Sequence, residues 1–564
     1  MSISIRETYR NKNVMVTGCT GFLGKVLLTM LLDQVEDVGL IYVLIRKRGL
    51  RSAAKRFEKI VNSSPAFRPL HERFGAGLSG WLSERVEIVQ GDISQPDFGI
   101  DAEVLPRIQK DLDVVINCAG LVDFNPDMRL ALGSNVDGPL SAAEFAAGCD
   151  DAGLVHVSTC YVVGNRAGRI EETIDYGYTP KGKAFDPEQE LLDVAALVER
   201  VLEERRTPEA EAELASRVAH LIEKRGLDGD NETLVRNMMD RTRNQQDERA
   251  LADIGMDRAE DWGWPNTYTW SKSIGEQLLQ KRGDELGLNW CVLRPSIVES
   301  SLEFPFAGWN EGFNTCGPLV YLLGTWFKDV PSQGDYPFDV IPVDLVCKGL
   351  MTAGAATMLG EQQPVYHCGS SDLHQISVGR AIELTALGHR RHLRKHGETA
   401  VERLLLSRWD GNDKAGDHVL SLPNIRKTAS GLEKLFRKVP SRFGKSAQKQ
   451  AAKVADGIKA ADKGLGQVEK ITELFKPFIH DSSWVFEARG LVGHDVIEDD
   501  IRFDPASINW RTWWLDVHMP GLRKWSFPQF QGKPVPTFKP QHKFKLHAPG
   551  AATGGVRAAA PNKA

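Results

Sequence analysis

A doubly wound parallel α/β sheet, carrying a helical insertion and followed by a smaller, mostly helical C-terminal domain, is the fold class this sequence predicts. Three observations carry it. Short apolar runs of strand length alternate with helical stretches through the N-terminal half. A glycine-rich turn joins the first such run to an apolar helix. From about His389 the strand signals vanish.

Val14, Met15 and Val16 read as the first strand, and the run Val26 to Leu32 has helical length and composition. Leu40 to Ile45 is continuously apolar, the pattern of a parallel strand buried on both faces. Further strands are predicted at Val86 to Val89, Val114 to Asn117, Val155 to Ser158 and Trp290 to Leu293. Between them, about 186–258 is charged and rich in Glu, Arg, Ala and Leu, with Leu191, Leu192, Val194, Leu197 and Val198 at near-helical spacing. These features assign 1–388 to a sheet domain with a helical insertion and 389–533 to a helical domain. The remainder, 534–564, is rich in Lys, Pro, Gly and Ala and is expected to be a disordered tail.

Composition narrows the function classes. With 42% hydrophobic and 26% charged residues among 564, the chain can bury a large core, which excludes disordered, collagen-like and coiled-coil readings. A net charge of -5 leaves no global footprint for nucleic acid. The eight cysteines are scattered without a CxxC, so a reduced, cytoplasmic setting is expected, with neither disulfide framework nor metal site. The start, MSISIRETYRNKN, lacks the apolar core of a signal peptide, and the longest apolar runs fall far short of the ~20 residues that span a bilayer. A soluble or membrane-peripheral protein follows.

The turn TGCTGFLG places Gly18, Gly21 and Gly24 in a GxxGxxG pattern between a strand and a helix, so Thr17, Gly18, Thr20, Gly21, Phe22, Leu23 and Gly24 are expected to cradle a dinucleotide pyrophosphate. Where an NAD site carries a carboxylate for the ribose 2′-hydroxyl, the second strand here ends in Arg46, Lys47 and Arg48. Cations there attract a 2′-phosphate, so NADPH is expected, with Arg46 and Arg48 as contacts and Arg56 as a further one. Asp92 and Ile93 follow the third strand, where a carboxylate can accept the adenine amino group. Ala119, Gly120 and Leu121 follow the fourth strand, with small residues against which a cofactor can lie.

Tyr268 and Lys272 form a YxxxK element, one helical turn apart on one face. An ammonium close to a phenol favours the phenolate and is expected to bring the Tyr268 pKa down toward working pH. At the fifth strand's end, Thr159, with Ser158 as its rival, offers a hydroxyl for a carbonyl oxygen that gains negative charge. Cys160 reads as a buried thiol rather than a nucleophile, since no histidine base sits beside it in sequence.

Together these motifs resemble the extended short-chain dehydrogenases/reductases, and within them the fatty acyl-CoA reductases. The matching segments are TGCTGFLGKVLL, IYVLIRKR, HVSTCYV, WPNTYTWSK, LRPSIVESSLEFPFAGW and DVIPVDLV, with FEARGLVGHDVIEDDIRFDPASINWRTWW (Phe486 to Trp514) similar to that family's C-terminal domain. The sequence departs from the family at Cys118–Ala119–Gly120, where a histidine or serine and two alanines are more usual. The resemblance implies a Rossmann-type domain and NADPH-dependent reduction of a long-chain acyl-CoA through the aldehyde to the primary alcohol. It makes Tyr268, Lys272 and Thr159 the catalytic trio, and puts Pro295, Ser296 and Ile297 beside the nicotinamide. Reductases that stop at the aldehyde, or take only free fatty aldehyde, use the same trio and remain alternatives. A sugar-nucleotide epimerase and a non-catalytic nucleotide-binding scaffold are weaker ones. An apolar tunnel for the acyl chain is expected against the C-terminal half. The cationic stretch from Arg426 to Lys470 suits CoA phosphates, an anionic membrane surface, or a plain solvated helix face.

Overall fold

The computed structural model describes residues 2–312, 316–324, 332–396, 456, 466, 469 and 471–547. Its centre is a seven-stranded parallel sheet of β1 (Val14–Thr17), β2 (Ile41–Ile45), β3 (Val86–Gln90), β4 (Val114–Asn117), β5 (Gly153–Val157), β6 (Trp290–Pro295) and β7 (Val365–Cys368). The order across the sheet is β3-β2-β1-β4-β5-β6-β7. Chain direction therefore reverses its walk between β1 and β4, the switch point where a crevice opens at the carboxyl ends of the strands.

Both faces of the sheet are buried, and the strands show it residue by residue. Val14 and Val16 of β1 enter the core on one face, while Met15 enters the core on the other. Helix α1 (Phe22–Gln34) and helix α2 (Val343–Leu359) pack together on the first face. On the opposite face lie α3 (Gly138–Ala147) and α4 (Thr267–Glu285), supplying Ala142, Phe145 and Leu279 to that core. The charged stretch before α4 forms three helices, Pro187–Glu204, Pro208–Arg225 and Glu232–Trp262.

The structure differs from the sequence expectations at four points. Strand β7 was not anticipated: its four residues, Val-Tyr-His-Cys, carry a buried histidine that breaks the apolar run. The boundary at 388/389 falls inside one helix, Val378–His396. Nor does the C-terminal part build a core of its own. Trp484, Phe486, Trp513, Trp514 and Leu522 join the same buried cluster as β1 and α1. Trp484–Phe486 also pairs in parallel with Gly168–Ile170, and Asp495–Val496 with Ser2–Ile3. Finally, the expected disordered tail is ordered as far as 547. Phe544 sets its ring edge-on to Phe57 at 5.9 Å and exchanges two hydrogen bonds with the Asn62 side chain. Single apolar anchors among Lys and Pro escape a compositional reading; 548–564 lie outside the described residues, as do the cations of the stretch Arg426 to Lys470.

Candidate active site

The glycine turn shows why three glycines are spaced as they are. Gly18 sits at φ +72°, and a Cβ there would lie 2.7 Å from the Cys118 carbonyl, because the turn crosses the end of β4. A Cβ on Gly24 would lie 2.5 Å from the Gly18 carbonyl oxygen, so the first turn of α1 can close only over glycine. Gly21 caps α1 and meets nothing nearer than 3.4 Å. The helix thus presents unpaired N–H groups and its positive end to the crevice. Thr17 ties the two strand ends together: its hydroxyl donates to Asn117 Oδ1 at 2.6 Å and accepts from the Ala119 amide at 3.0 Å.

A cavity of about 690 Å³ runs from this turn to the YxxxK helix. Thr17, Gly18, Thr20, Gly21, Phe22, Leu23 and Gly24 line one end, with Arg46, Arg56, Asp92 and Ile93. Ala119, Gly120, Ser158, Thr159, Tyr268, Lys272, Pro295, Ser296 and Ile297 line the other. Two predicted contacts are absent from it. Arg48 lies past the end of β2, in a tight turn whose backbone pairs with Arg51, and its side chain is exposed. Leu121 is strapped down by Asn135, which accepts from its amide and donates to its carbonyl, each at 3.0 Å.

At the cation end, Arg56 donates to the Arg46 carbonyl, and Arg46 stands 3.5 Å from Asp92. Burial, together with Arg46 and Arg48, lowers the Arg56 pKa, as expected where cations gather with too few counter-charges. Asp92 is already engaged: Ser94 donates to it through its amide and its hydroxyl.

At the other end Asn266 caps α4 by accepting from the Thr269 amide at 2.9 Å, which starts the helix one residue before Tyr268. Tyr268 is partly buried, facing the cavity, and bonded to the Thr159 hydroxyl. Burial pushes its phenol up to about 12, against the sequence expectation that Lys272 would draw it down. The Lys272 ammonium instead donates to the Val157 carbonyl at 2.9 Å. Burial draws its pKa down to about 8, opposed by Glu276 and Cys118. Tyr268 therefore keeps its proton across the neutral range and is suited to give it away. A Cβ on Gly120 would come within 3.0 Å of Lys272 Nζ, so glycine leaves the ammonium its place.

Two hydroxyls in the cavity, Ser158 Oγ and Ser296 Oγ, are buried and make no hydrogen bond among the described residues. Thr159, by contrast, accepts from the Tyr161 amide at 3.3 Å and lies 3.5 Å from the Pro295 carbonyl. Two orphaned donors beside a glycine cradle and a cation pair are what a bound dinucleotide would satisfy, so the residues present fit one. Cys160 is buried with its thiol donating to the Arg294 carbonyl at 2.9 Å, and burial raises its pKa well above the ordinary value.

Residues 16–350 match the family model described as male sterility protein, an NAD-binding domain. The chain belongs to the male sterility protein family. Among its relatives in this family, fatty acyl-CoA reductase 8 of Arabidopsis thaliana is 28% identical over 547 residues, covering 93% of this chain and 99% of the relative. The alcohol-forming fatty acyl-CoA reductase of Simmondsia chinensis is 28% identical over 542 residues, covering 92% and 98%. The reductase domain of a non-ribosomal peptide synthetase from Mycobacterium tuberculosis shares the fold, with a TM-score of 0.50 at 17% identity over 94% of each chain. The chain is an oxidoreductase with a nicotinamide-dinucleotide fold of the Rossmann type.

In this male sterility family member the cavity also holds residues that sequence reading missed. Phe124, Phe475 and Phe478 form an aromatic wall beside Tyr268, and Val122, Leu130 and Arg129 lie at its rim. Arg129 is chelated by Asp127, at 2.6 Å in its shorter contact. Glu311 borders the glycine turn and accepts from Lys25 Nζ at 2.7 Å. None belongs to a short motif, and Phe475 and Phe478 are brought in from the far end of the chain. A second cluster lies apart from the cavity, where Glu299, Cys316 and His518 gather with their polar atoms within 4.8 Å of one another. His518 Nδ1 lies 3.0 Å from Ser300 Oγ, which pins the C-terminal part against the sheet domain.

Proposed function

We propose that the protein reduces a long-chain fatty acyl-CoA to the primary alcohol with NADPH, releasing CoA. The observation that carries this reading is the single cavity joining the glycine turn, the Arg46 and Arg56 pair, the Thr159–Tyr268–Lys272 cluster and an apolar wall. A nicotinamide dinucleotide bound along Thr17 to Gly24 supplies the hydride. Arg46 and Arg56 favour the form that carries a 2′-phosphate. Identity to the fatty acyl-CoA reductases over nine-tenths of the chain supports the acyl substrate.

The chain's own residues then have these tasks. Ser158 or Thr159 donates to the thioester carbonyl oxygen and stabilises the negative charge that grows there. Tyr268 gives that oxygen its proton, closing a hemithioacetal. Collapse of the hemithioacetal breaks the C–S bond, frees CoA as the thiol and leaves the aldehyde. Tyr268 regains a proton from solvent, and the aldehyde carbonyl, held by the same hydroxyls, then takes a second hydride at carbon and a second Tyr268 proton at oxygen, giving the alcohol. Lys272 holds the electrostatics of the site: when protonated it stabilises the transient tyrosinate, and it orients the groups around Val157.

No helix among the described residues is long and apolar enough to cross a membrane. A cytoplasmic protein that meets its lipid substrate at a membrane surface through the cationic stretch is the accompanying reading. Loss of 340 nm absorbance tests the reaction. It is expected with NADPH and palmitoyl-CoA and more slowly with NADH; constant absorbance with palmitoyl-CoA, together with isomerisation of UDP-sugars that consumes no NADPH, would place the site among epimerase-like enzymes instead.

A further inference from the structure

The wall beside the proton donor is aromatic. Phe124 lies 6.0 Å from the Tyr268 ring, centroid to centroid, and stacks on Phe478 at 5.7 Å with the planes 20° apart. Phe475 stands across Phe124 at 6.2 Å and 74°, and Tyr161 meets Phe478 edge-on at 4.8 Å. Both Phe475 and Phe478 are buried, and they front the same void as Tyr268 and Thr159. The three rings pack on one another, yet each also lines the cavity that holds Tyr268 and Thr159. They form one side of the reacting centre.

We propose that Phe124, Phe475 and Phe478 form a slot for the proximal half of the acyl chain, from C2 to about C8, beginning next to the reacting carbonyl. It selects linear, apolar acyl groups over branched or hydroxylated ones. The inference rests on the acyl-CoA reading above and adds which part of the chain is read and by what. Flat faces accept an extended methylene run, whereas a branch at C2 meets a ring and a hydroxyl at C3 finds no partner among them. The slot also excludes water from the carbonyl, which strengthens the hydrogen bonds of Thr159 and Tyr268. The C-terminal segment thereby determines specificity even though the sheet domain holds the reacting groups.

Two arms test this. In the first, kcat/KM is measured for butanoyl-, octanoyl-, 2-methyloctanoyl- and 3-hydroxyoctanoyl-CoA. The slot predicts a rise of about fourfold per methylene from butanoyl to octanoyl, and a loss of at least about tenfold for either substituted chain. Phe475→Leu and Phe478→Leu should lower the octanoyl value about tenfold and the butanoyl value less than threefold. The NADPH dissociation constant, followed by fluorescence, should stay within twofold and so report an intact fold. Equal losses on both chains, or a rise that begins only beyond octanoyl, would overturn the slot while leaving acyl-CoA reduction standing.

In the second arm, an unreactive thioether analogue of octanoyl-CoA with a diazirine at C5 is photolysed in the wild-type protein. Label within 471–481 or on Phe124 is expected, and label confined to other segments would overturn the slot. If no acyl-CoA is turned over, the reaction reading fails by itself and the labelling still decides the slot.

Discussion

At the cofactor end of the cavity, the walls come from the loops that follow consecutive strands: Thr17 to Gly24 after β1, Arg46 after β2, Asp92 after β3. At the substrate end they come from Phe124, Tyr161, Tyr268, Phe475 and Phe478, which are drawn from several elements and from both halves of the chain. The contrast follows from what each end must bind. A pyrophosphate is held by backbone N–H groups at a helix start, which forces glycines at fixed spacing within one turn. An acyl chain is held by area and shape alone, which any apolar side chains can supply from anywhere in the fold.

The contrast can be broken most strongly at Tyr268. Tyr268→Phe should lower kcat about 10³-fold, the scale of a lost general acid, and leave the NADPH dissociation constant within twofold in a fluorescence titration. A variant with wild-type kcat would remove the proton donor from the account. The next effect is in pH. Lys272 is drawn down to about 8, and its charged form is the working one, so activity is lost as pH rises through that value. The log of kcat/KM should fall by about one per pH unit above pH 8, and Lys272→Met should lower the plateau and abolish that limb. Tyr268, at about 12, adds no limb below strongly alkaline pH.

At the cofactor end the effects are smaller and selective. Arg46→Ala should cost about tenfold in the NADPH over NADH preference, with NADH affinity unchanged, as measured by paired titrations. Arg48→Ala, outside the cavity, should change neither affinity by more than twofold. Equal effects from Arg46 and Arg48 would mean that the loop after β2 closes differently around the cofactor.

This contrast also sets what was legible in the sequence. The glycine turn, six of the seven sheet strands and the YxxxK pair are local patterns, and each can be read from a window of a few residues. That Arg48 lies outside the cavity could not be read, because a cation run does not reveal where the strand ends, and β2 stops at Ile45. That Leu121 lies outside the cavity could not be read either, because its backbone is held by Asn135, a residue of another element. The direction of the Tyr268 shift was missed for a different reason: spacing puts an ammonium on the same face, but only three dimensions show that it turns to the Val157 carbonyl and that burial sets the phenol. The aromatic slot was invisible in principle, since nothing in sequence ties Phe124 to Phe478. Only the expectation of an apolar tunnel against the C-terminal half pointed toward it.

The central claim is that one cavity with one proton donor carries both reductions. The measurement that meets it most directly is the number of NADPH oxidised per CoA thiol released when the purified protein is incubated with palmitoyl-CoA. The account predicts a ratio near two, with hexadecanol as the product. A ratio near one, with hexadecanal accumulating, would contradict it and limit the site to a single hydride transfer.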